Sequence, residues 1–416
     1  MPERHSYPLL SVEEALERVL ASFRPLPAES VPLLESLGRV LADEVRAETD
    51  LPPHTNSAMD GFALRWQDTA AASPESPVRL TVVEEIAAGH APRHRLAAGE
   101  AARIMTGAPL PPGADTVVRF EHTRCGPGWV ELAQTPRRGA DVRPAGEDVR
   151  RGEVAVSAGT VIRPQEVGML AALGHSFASV RRRPRVAILA TGDEVAELGE
   201  ELAPGKIRNT NSFSNAAQAL EAGAVPLLLG VARDRRDDLV AKLRQGVEAG
   251  VDLFVTSGGV SVGDFDLVKV VLAAEGHVDF WWVNMKPGRP LAFGGISGVP
   301  LLALPGNPVA AMISFDLFAR PAILKMLGHT RLTRPHLSAR LRLAVERKDG
   351  RRHYLRVSLS KTESGWEAEL TGEQGSGILS SMVRADGLAI IPEHYGRLGA
   401  GSTVEVLPLR PLDGEG

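Results

Sequence analysis

Between Val186 and Leu304 short apolar runs alternate with longer amphipathic stretches, and this alternation constrains the fold more than any other feature of the chain. Val186 to Ala190, Val225 to Val231, Val251 to Thr256 and Leu301 to Leu304 are short and rich in branched residues, as strands buried on both faces are. Phe213 to Glu221, ended by Gly223, Asp237 to Ala249, and Leu267 to Leu272 supply helices between them. Strands alternating with helices imply a parallel, doubly wound sheet, in which ligands sit beyond the carboxyl ends of the strands.

The loops that follow these strands therefore share one edge: Thr191-Gly-Asp-Glu194, Arg233-Asp234, Ser257 to Asp266 and Leu304-Pro-Gly-Asn-Pro308. Ser257, Gly258, Gly259 and Ser261 offer backbone N–H groups and hydroxyls to a phosphate. Asp264 and Asp266 end the same loop with negative charge, which calls for a divalent cation or a proton donor beside an anionic ligand. A strand-to-helix turn whose Asp residues cap the next helix would read the same locally. Glu194, Asp234 and Asp266 converge if the sheet is wound as expected, and three carboxylates at one crevice point to a site. Asn284-Met-Lys-Pro-Gly-Arg-Pro290 holds Lys286 and Arg289 on a proline-braced turn. Such a turn suits an oxyanion, with a solvated surface turn as the alternative.

The flanking segments differ in texture. Ser11-Val-Glu-Glu14 is a capping box ahead of a helix with Val12, Ala15, Leu16, Val19, Leu20 and Phe23 on one face. Leu33 to Leu37 reads as a short second helix stopped by Gly38. From about Ala47 the chain turns β-rich, opening with the loop Asp50 to Phe62, in which Asp60-Gly61 reads equally well as a tight turn. A second proline-rich loop runs from Thr106 to Asp115, and a third, charged and glycine-rich, carries Arg143, Glu147 and Asp148. Pro164 to Leu173 reads as a helix with proline in its first turn. Because it and the first helix flank the β-rich part, the two are expected to share one discontinuous domain. Pro308 to Met326 is a long apolar-striped helix ended by Gly328. Short runs from Leu337 to Leu407 then predict a small β-barrel or sandwich, with no cluster that looks catalytic.

Composition narrows the function. A length of 416 residues predicts two to four domains, and a hydrophobic content of 44% is ample for buried cores. A net charge of −4 argues against a nucleic-acid binder. The lone Cys125 excludes an intramolecular disulfide framework and a cysteine-rich zinc site. With no apolar leader and no membrane-length apolar run, a cytoplasmic protein that does not enter membranes is expected.

Taken together, Asn56-Ser-Ala-Met-Asp-Gly-Phe62, Ile104 to Asp115, Thr191 to Glu194, Thr256-Ser-Gly-Gly-Val-Ser-Val-Gly263, Lys286-Pro-Gly288 and Leu304-Pro-Gly-Asn-Pro308 resemble the molybdopterin molybdenumtransferases, the MoeA family that includes the E domain of gephyrin. The resemblance runs in order over nearly the whole chain. It implies four parts: 1–46 with 150–180 as a discontinuous helix-containing domain, 47–149 as a β-rich insertion, 181–328 as a doubly wound α/β domain similar to the molybdopterin adenylyltransferases, and 329–416 as a small β-barrel. It also implies a homodimer, and leaves other enzymes of molybdenum cofactor biosynthesis open as partners. The implied reaction takes adenylylated molybdopterin and molybdate to molybdenum cofactor and AMP with Mg2+. Family positions fall on Asp60, Thr106, Arg143, Asp148, Glu194, Asp234, Asp266, Lys286, Pro305 and Pro308. One departure is Trp282, where relatives commonly carry a second basic residue; another is Arg289, where lysine is frequent.

The roles expected are these. Lys286 and Arg289 take the oxyanion, Ser257 to Ser261 and the Pro305-Gly306-Asn307-Pro308 turn take the substrate, and Glu194, Asp234 and Asp266 hold Mg2+ on the phosphoanhydride. Asp60 and Thr106 are implied to reach the crevice across a dimer interface. The alternatives are a molybdopterin adenylyltransferase and a non-catalytic scaffold of gephyrin type.

Overall fold

The computed structural model describes residues 8–258, 276–346 and 349–411. Gly259, Ser261, Asp264, Asp266 and the helix expected at Leu267 to Leu272 lie outside the described residues. The chain forms two compact units, one of Met1–Glu29 with Val180–Gly416 and one of Ser30–Ser179.

The first unit is built on a seven-stranded sheet in the order Leu9–Leu10, Gly276–Val283, Pro290–Ile296, Val299–Leu304, Leu253–Ser257, Arg185–Thr191, Val225–Ala232. The last four are parallel neighbours. Alternation along Arg185–Thr191 explains why both faces are covered. Val186 and Ile188 join a core with Ala216 and Ala219 of helix Asn211–Glu221, whereas Ala187 and Leu189 join one with Leu239 and Leu243 of helix Arg236–Glu248. Every residue of Leu253–Ser257 is buried, as a central strand between two helical layers must be.

Two expectations need correction here. The sheet is mixed, because Pro290–Ile296 runs antiparallel to both neighbours. The cause is local: Ser297 (φ 49°) and Gly298 (φ 80°) form a two-residue turn with both φ positive, which folds the chain straight back into Val299–Leu304. The helix from Pro308 to Met326 is interrupted by a π turn at Phe315–Ala319. Pro321 follows it; proline donates no N–H and its ring crowds the preceding turn, so the backbone widens there. Gly328 (φ 83°) ends the run, with the His329 N–H donating to Leu324 O at 3.0 Å.

The first helix, Val12–Ala21, keeps its capping box: Ser11 Oγ accepts the Glu14 N–H at 3.1 Å and Glu14 Oε2 accepts the Ser11 N–H at 2.8 Å. Its Ala15 and Val19, with Phe23, enter the same core as Phe293 and Phe315. It therefore lies in the sheet unit, while helix Pro164–Ala172 lies in the other. Strands Leu337–Leu341, Arg352–Thr362, Gly365–Leu370, Gly387–Ile391 and Thr403–Pro408 close into a five-stranded barrel, since Arg352–Thr362 pairs with both Gly365–Leu370 and Gly387–Ile391.

The second unit carries a six-stranded sheet in the order Thr116–Arg119, Gly61–Leu64, Glu100–Ile104, Val78–Ile86, Trp129–Leu132, Arg124–Gly126. Phe62 and Leu64 face one core and Ala63 faces another, so this insertion also buries both faces of its central strand. Among the described residues no helix is long and apolar enough to cross a membrane.

Candidate functional site

Three adjacent parallel strands end at Thr191, Ser257 and Leu304, and the turns that follow them press together. The Gly258 N–H donates to Leu304 O at 3.1 Å. A Cβ on Gly258 (φ 88°) would stand 2.8 Å from Thr191 O, and one on Gly306 would stand 3.6 Å from the Gly258 Cα. Only glycine fits the first position, which is why the small-residue loop in the sequence is compact here. Asn211 Nδ2 donates to Gly306 O at 2.8 Å, and Asn307 Nδ2 to Ser376 Oγ at 2.8 Å.

These turns form one wall of a cavity of about 740 Å³. Of the residues singled out in the sequence, Glu194, Gly258, Lys286, Arg289, Pro305, Gly306 and Asn307 line it together. Ser257 and Pro308 line an adjoining hollow of about 300 Å³ that shares Glu194, Gly258 and Gly306 with the first. Asp234 stands apart from both linings. It pairs instead with Asp193, each backbone N–H donating to the other's carboxylate at 3.1 and 3.2 Å. The Glu194 side chain is exposed at the cavity wall, and its carboxylate takes no hydrogen bond or ion pair from a described residue. Among the described residues no group of three His, Cys, Asp or Glu is placed to hold a metal.

The cationic side of the cavity is the turn after Met285–Lys286. A Cβ on Gly288 (φ 103°) would meet Ser314 Oγ at 2.6 Å and Met285 Cε at 2.9 Å, so the Lys-Pro-Gly turn is seated directly on the helical run behind it. Lys286 Nζ lies 3.3 Å from Asp349 Oδ2. Asp349 also accepts Arg351 Nη2 at 2.5 Å and pairs with His353 Nε2 at 2.6 Å. Burial alone would raise the Asp349 carboxyl, but hydrogen bonds from His353 and Arg351, with Lys286 beside them, hold it far below the usual carboxylate range. The Arg289 guanidinium lies 3.7 Å over the Trp282 ring centroid, and its Nε is buried with no hydrogen-bond partner. Loss of hydration, and then repulsion from Arg351, pull the Arg289 pKa below the ordinary guanidinium value.

The barrel contributes what the sequence reading passed over. Arg351, Gln374, Gly375 and Ser376 line the cavity alongside the sheet loops. The signal was present in Thr371-Gly-Glu-Gln-Gly-Ser-Gly377, a run of small polar residues with the same texture as Ser257 to Ser261. The Val309 N–H donates to Ser376 O at 3.1 Å and fastens that loop to the sheet layer.

In the second unit, Asp60 and Thr106 meet. Asp60 Oδ1 accepts the Thr106 N–H and the Thr106 hydroxyl, both at 2.7 Å. The backbone donor first, and the hydroxyl second, hold the Asp60 carboxyl below its usual range. Asp60 is therefore not the start of a tight turn; Gly61 opens a strand, and a Cβ there would lie 2.1 Å from Val118 O. Arg143 pairs with Glu147 at 3.0 Å, and its short strand Val142–Arg143 runs beside Asn56–Ser57. The Asp148 N–H donates to Leu51 O at 3.0 Å and its side chain is exposed.

Comparison with known proteins follows the same order along the chain. Residues 10–174 match a family model described as the MoeA N-terminal region (domain I and II), residues 187–325 one described as a probable molybdopterin binding domain, and residues 338–409 the MoeA C-terminal region (domain IV). The chain is 38% identical over 406 residues to a protein named molybdopterin molybdenumtransferase 2 from Mycobacterium tuberculosis, covering 96% of this chain and 99% of that one. It is 36% identical over 414 residues to the molybdopterin molybdenumtransferase of Bacillus subtilis, with 97% and 95% covered. A solved structure of a molybdopterin biosynthesis protein from Pyrococcus horikosii superposes with a TM-score of 0.86 at 35% identity, covering 97% of this chain and 100% of that one. Matched in this order over nearly its whole length, the chain belongs to the MoeA family.

Proposed function

We propose that this protein is a molybdopterin molybdenumtransferase, which takes adenylylated molybdopterin and molybdate and yields molybdenum cofactor and AMP. The observation that carries this reading is the cavity at the carboxyl edge of the sheet, where Lys286, Arg289 and Arg351 face the glycine turns at Gly258 and Gly306. Both substrates are anionic, and such a wall supplies cations and backbone N–H groups. The names carried by relatives over 95% or more of both chains support the same reading.

The residues divide the work as follows. Lys286 and Arg289 draw molybdate into the cavity and orient it, with Arg351 and Ser376 lining the same cavity. Ser257, Gly258, Gly306 and Asn307 seat the substrate phosphate, with Pro305 and Pro308 keeping the turn rigid. Among the described residues the Glu194 carboxylate takes no hydrogen bond and Asp234 accepts through one oxygen, from the Asp193 N–H, so oxygen donors suited to a hard divalent cation are available. Glu194, Asp234 and Asp266 would hold Mg2+, which when bound offsets phosphoanhydride charge. Asp60, Thr106, Arg143 and Asp148 are assigned to the same reaction. A homodimer, a cytoplasmic location and the four-part domain division belong to this proposal too.

The test uses the full chain with adenylylated molybdopterin and Mg2+. AMP release that begins only when molybdate is added is expected. Equal release without molybdate overturns the reading as simple hydrolysis, and pyrophosphate release from ATP and molybdopterin with no metal insertion overturns it in favour of an adenylyltransferase. For the metal role, Asp266→Asn is expected to lose Mg2+-dependent AMP release, and full retention removes that assignment.

A further inference from the structure

The three cations of the cavity wall are not equivalent. Lys286 and Arg351 both lie against Asp349, at 3.3 and 2.5 Å, so their charge is already partly satisfied. Arg289 has no carboxylate partner among the described residues, and its Nε is buried without an acceptor. A guanidinium left with unpaired donors in a partly desolvated wall is held ready for an anion that completes them. What fixes it in place is the Trp282 indole, whose ring centroid is 3.7 Å away. Stacking on an aromatic face satisfies the flat side of a guanidinium and leaves its N–H edge unused.

The geometry points to Trp282 as a positioning residue for Arg289, and to Arg289 as the main anchor for a tetrahedral dianion in this cavity. This rests on the proposed function for the identity of the dianion and goes beyond it in assigning the anchor. Where the resemblance expects a second cation, an aromatic face instead orients the cavity arginine that has no carboxylate partner among the described residues. The arrangement is rigid at both ends: the Trp282 N–H donates to Pro8 O at 3.0 Å, and the Val283 N–H to Arg289 O at 2.8 Å. Trp282 and Arg289 thus sit at the two ends of the same tight reversal between Gly276–Val283 and Pro290–Ile296. Molybdate and the phosphate of the substrate share the chemistry that such an anchor recognises.

The experiment is an anion titration of the full chain, followed by tryptophan emission and by calorimetry, with sodium molybdate in one arm and inorganic phosphate in the other. Molybdate is expected to change the emission of the wild type, and the change should vanish in Trp282→Phe, which keeps an aromatic face and retains most of the affinity. Trp282→Leu and Arg289→Gln are each expected to weaken binding roughly tenfold, in line with a desolvated cation–π contact. The double variant should be no weaker than the weaker single one, because the two side chains act as a unit. Fully additive losses, or unchanged affinity in Trp282→Leu, overturn the proposal. Should Trp282→Leu not fold, the absence of any Trp282 emission response in wild-type protein that binds either anion overturns it as well. A stronger response to molybdate or to phosphate supports the anchor and identifies its dianion. Because binding is read without turnover, failure here is separable from failure of molybdate-dependent AMP release.

Discussion

Gly288 shows how little room the cavity leaves for a single added carbon. At φ 103° an L side chain is strained, and the carbon would also press on Ser314 Oγ and Met285 Cε. Gly288→Ala is therefore expected to destabilise the protein by about 1–3 kcal/mol, read as a lower urea midpoint with an unchanged slope. It should also weaken molybdate binding, since the same turn carries Lys286 and Arg289. An unchanged midpoint would show that the turn relaxes without strain. Asp60 gives a prediction of a different kind. Its carboxyl is held below the ordinary value of 3.8 by the Thr106 N–H and then by the hydroxyl. A depressed folded-state pKa means that this link is fully present above the unfolded value and is lost as pH falls through the folded one. Thr106→Val removes the hydroxyl and keeps the N–H, so the Asp60 carboxyl should titrate closer to 3.8 without reaching it. Carbon-detected NMR of the Asp60 carboxyl checks this; an unmoved titration would mean the hydroxyl bond contributes nothing.

At the level of elements, the first helix illustrates what local chemistry specifies. Ser11 and Glu14 close a capping box in front of a face that buries Ala15 and Val19. Ser11→Ala leaves that face intact and removes the hydroxyl's bonds to the Glu14 N–H and carboxylate, so a loss of about 0.5–2 kcal/mol is expected in chemical denaturation. A loss below that range would place the helix's stability wholly in its packing. The same kind of local signal made the capping box, the four parallel strands, the two helices between them and the barrel strands legible in the sequence. Pro290–Ile296 was not legible, because it starts with proline, contains Gly294 and Gly295, and owes its direction to the Ser297-Gly298 reversal rather than to its own pattern. The π turn escaped for a related reason: Phe315–Ala319 has ordinary helical spacing, and only Pro321 further on disturbs the backbone. The site was legible where residues sit on loops after strands of one sheet, as Glu194, Gly258 and Asn307 do. Asp349, Arg351 and Ser376 were missed because their contribution depends on how the barrel packs, which no local pattern encodes.

The barrel and the sheet of the first unit share one core. Tyr354, Leu388 and Leu407 from barrel strands lie in the same buried cluster as Val186, Leu302, Ile313 and Phe318. The barrel also has a smaller core of its own, with Leu355, Val357 and Val406. Strands Arg352–Thr362, Gly387–Ile391 and Thr403–Pro408 thus face two ways, inward to the barrel core and outward to the sheet layer. If the shared cluster dominates, sheet and barrel unfold as one cooperative body and the cavity is lost in a single step. Leu388→Ala removes a fully buried side chain from the shared cluster, and a core truncation of this type costs about 2–5 kcal/mol. Native-state hydrogen exchange is the measurement that separates the alternatives. The expected result is faster exchange in Val299–Leu304 and Arg185–Thr191 as well as in Gly387–Ile391, by a similar free energy in all three. Gly61–Leu64, whose cores are built only from residues of the other unit, should keep its protection. Loss confined to Gly387–Ile391 would instead make the barrel an independent folding body, and its opening would pull on Lys286, whose strand pairs with Arg352–Thr362, without unfolding the sheet.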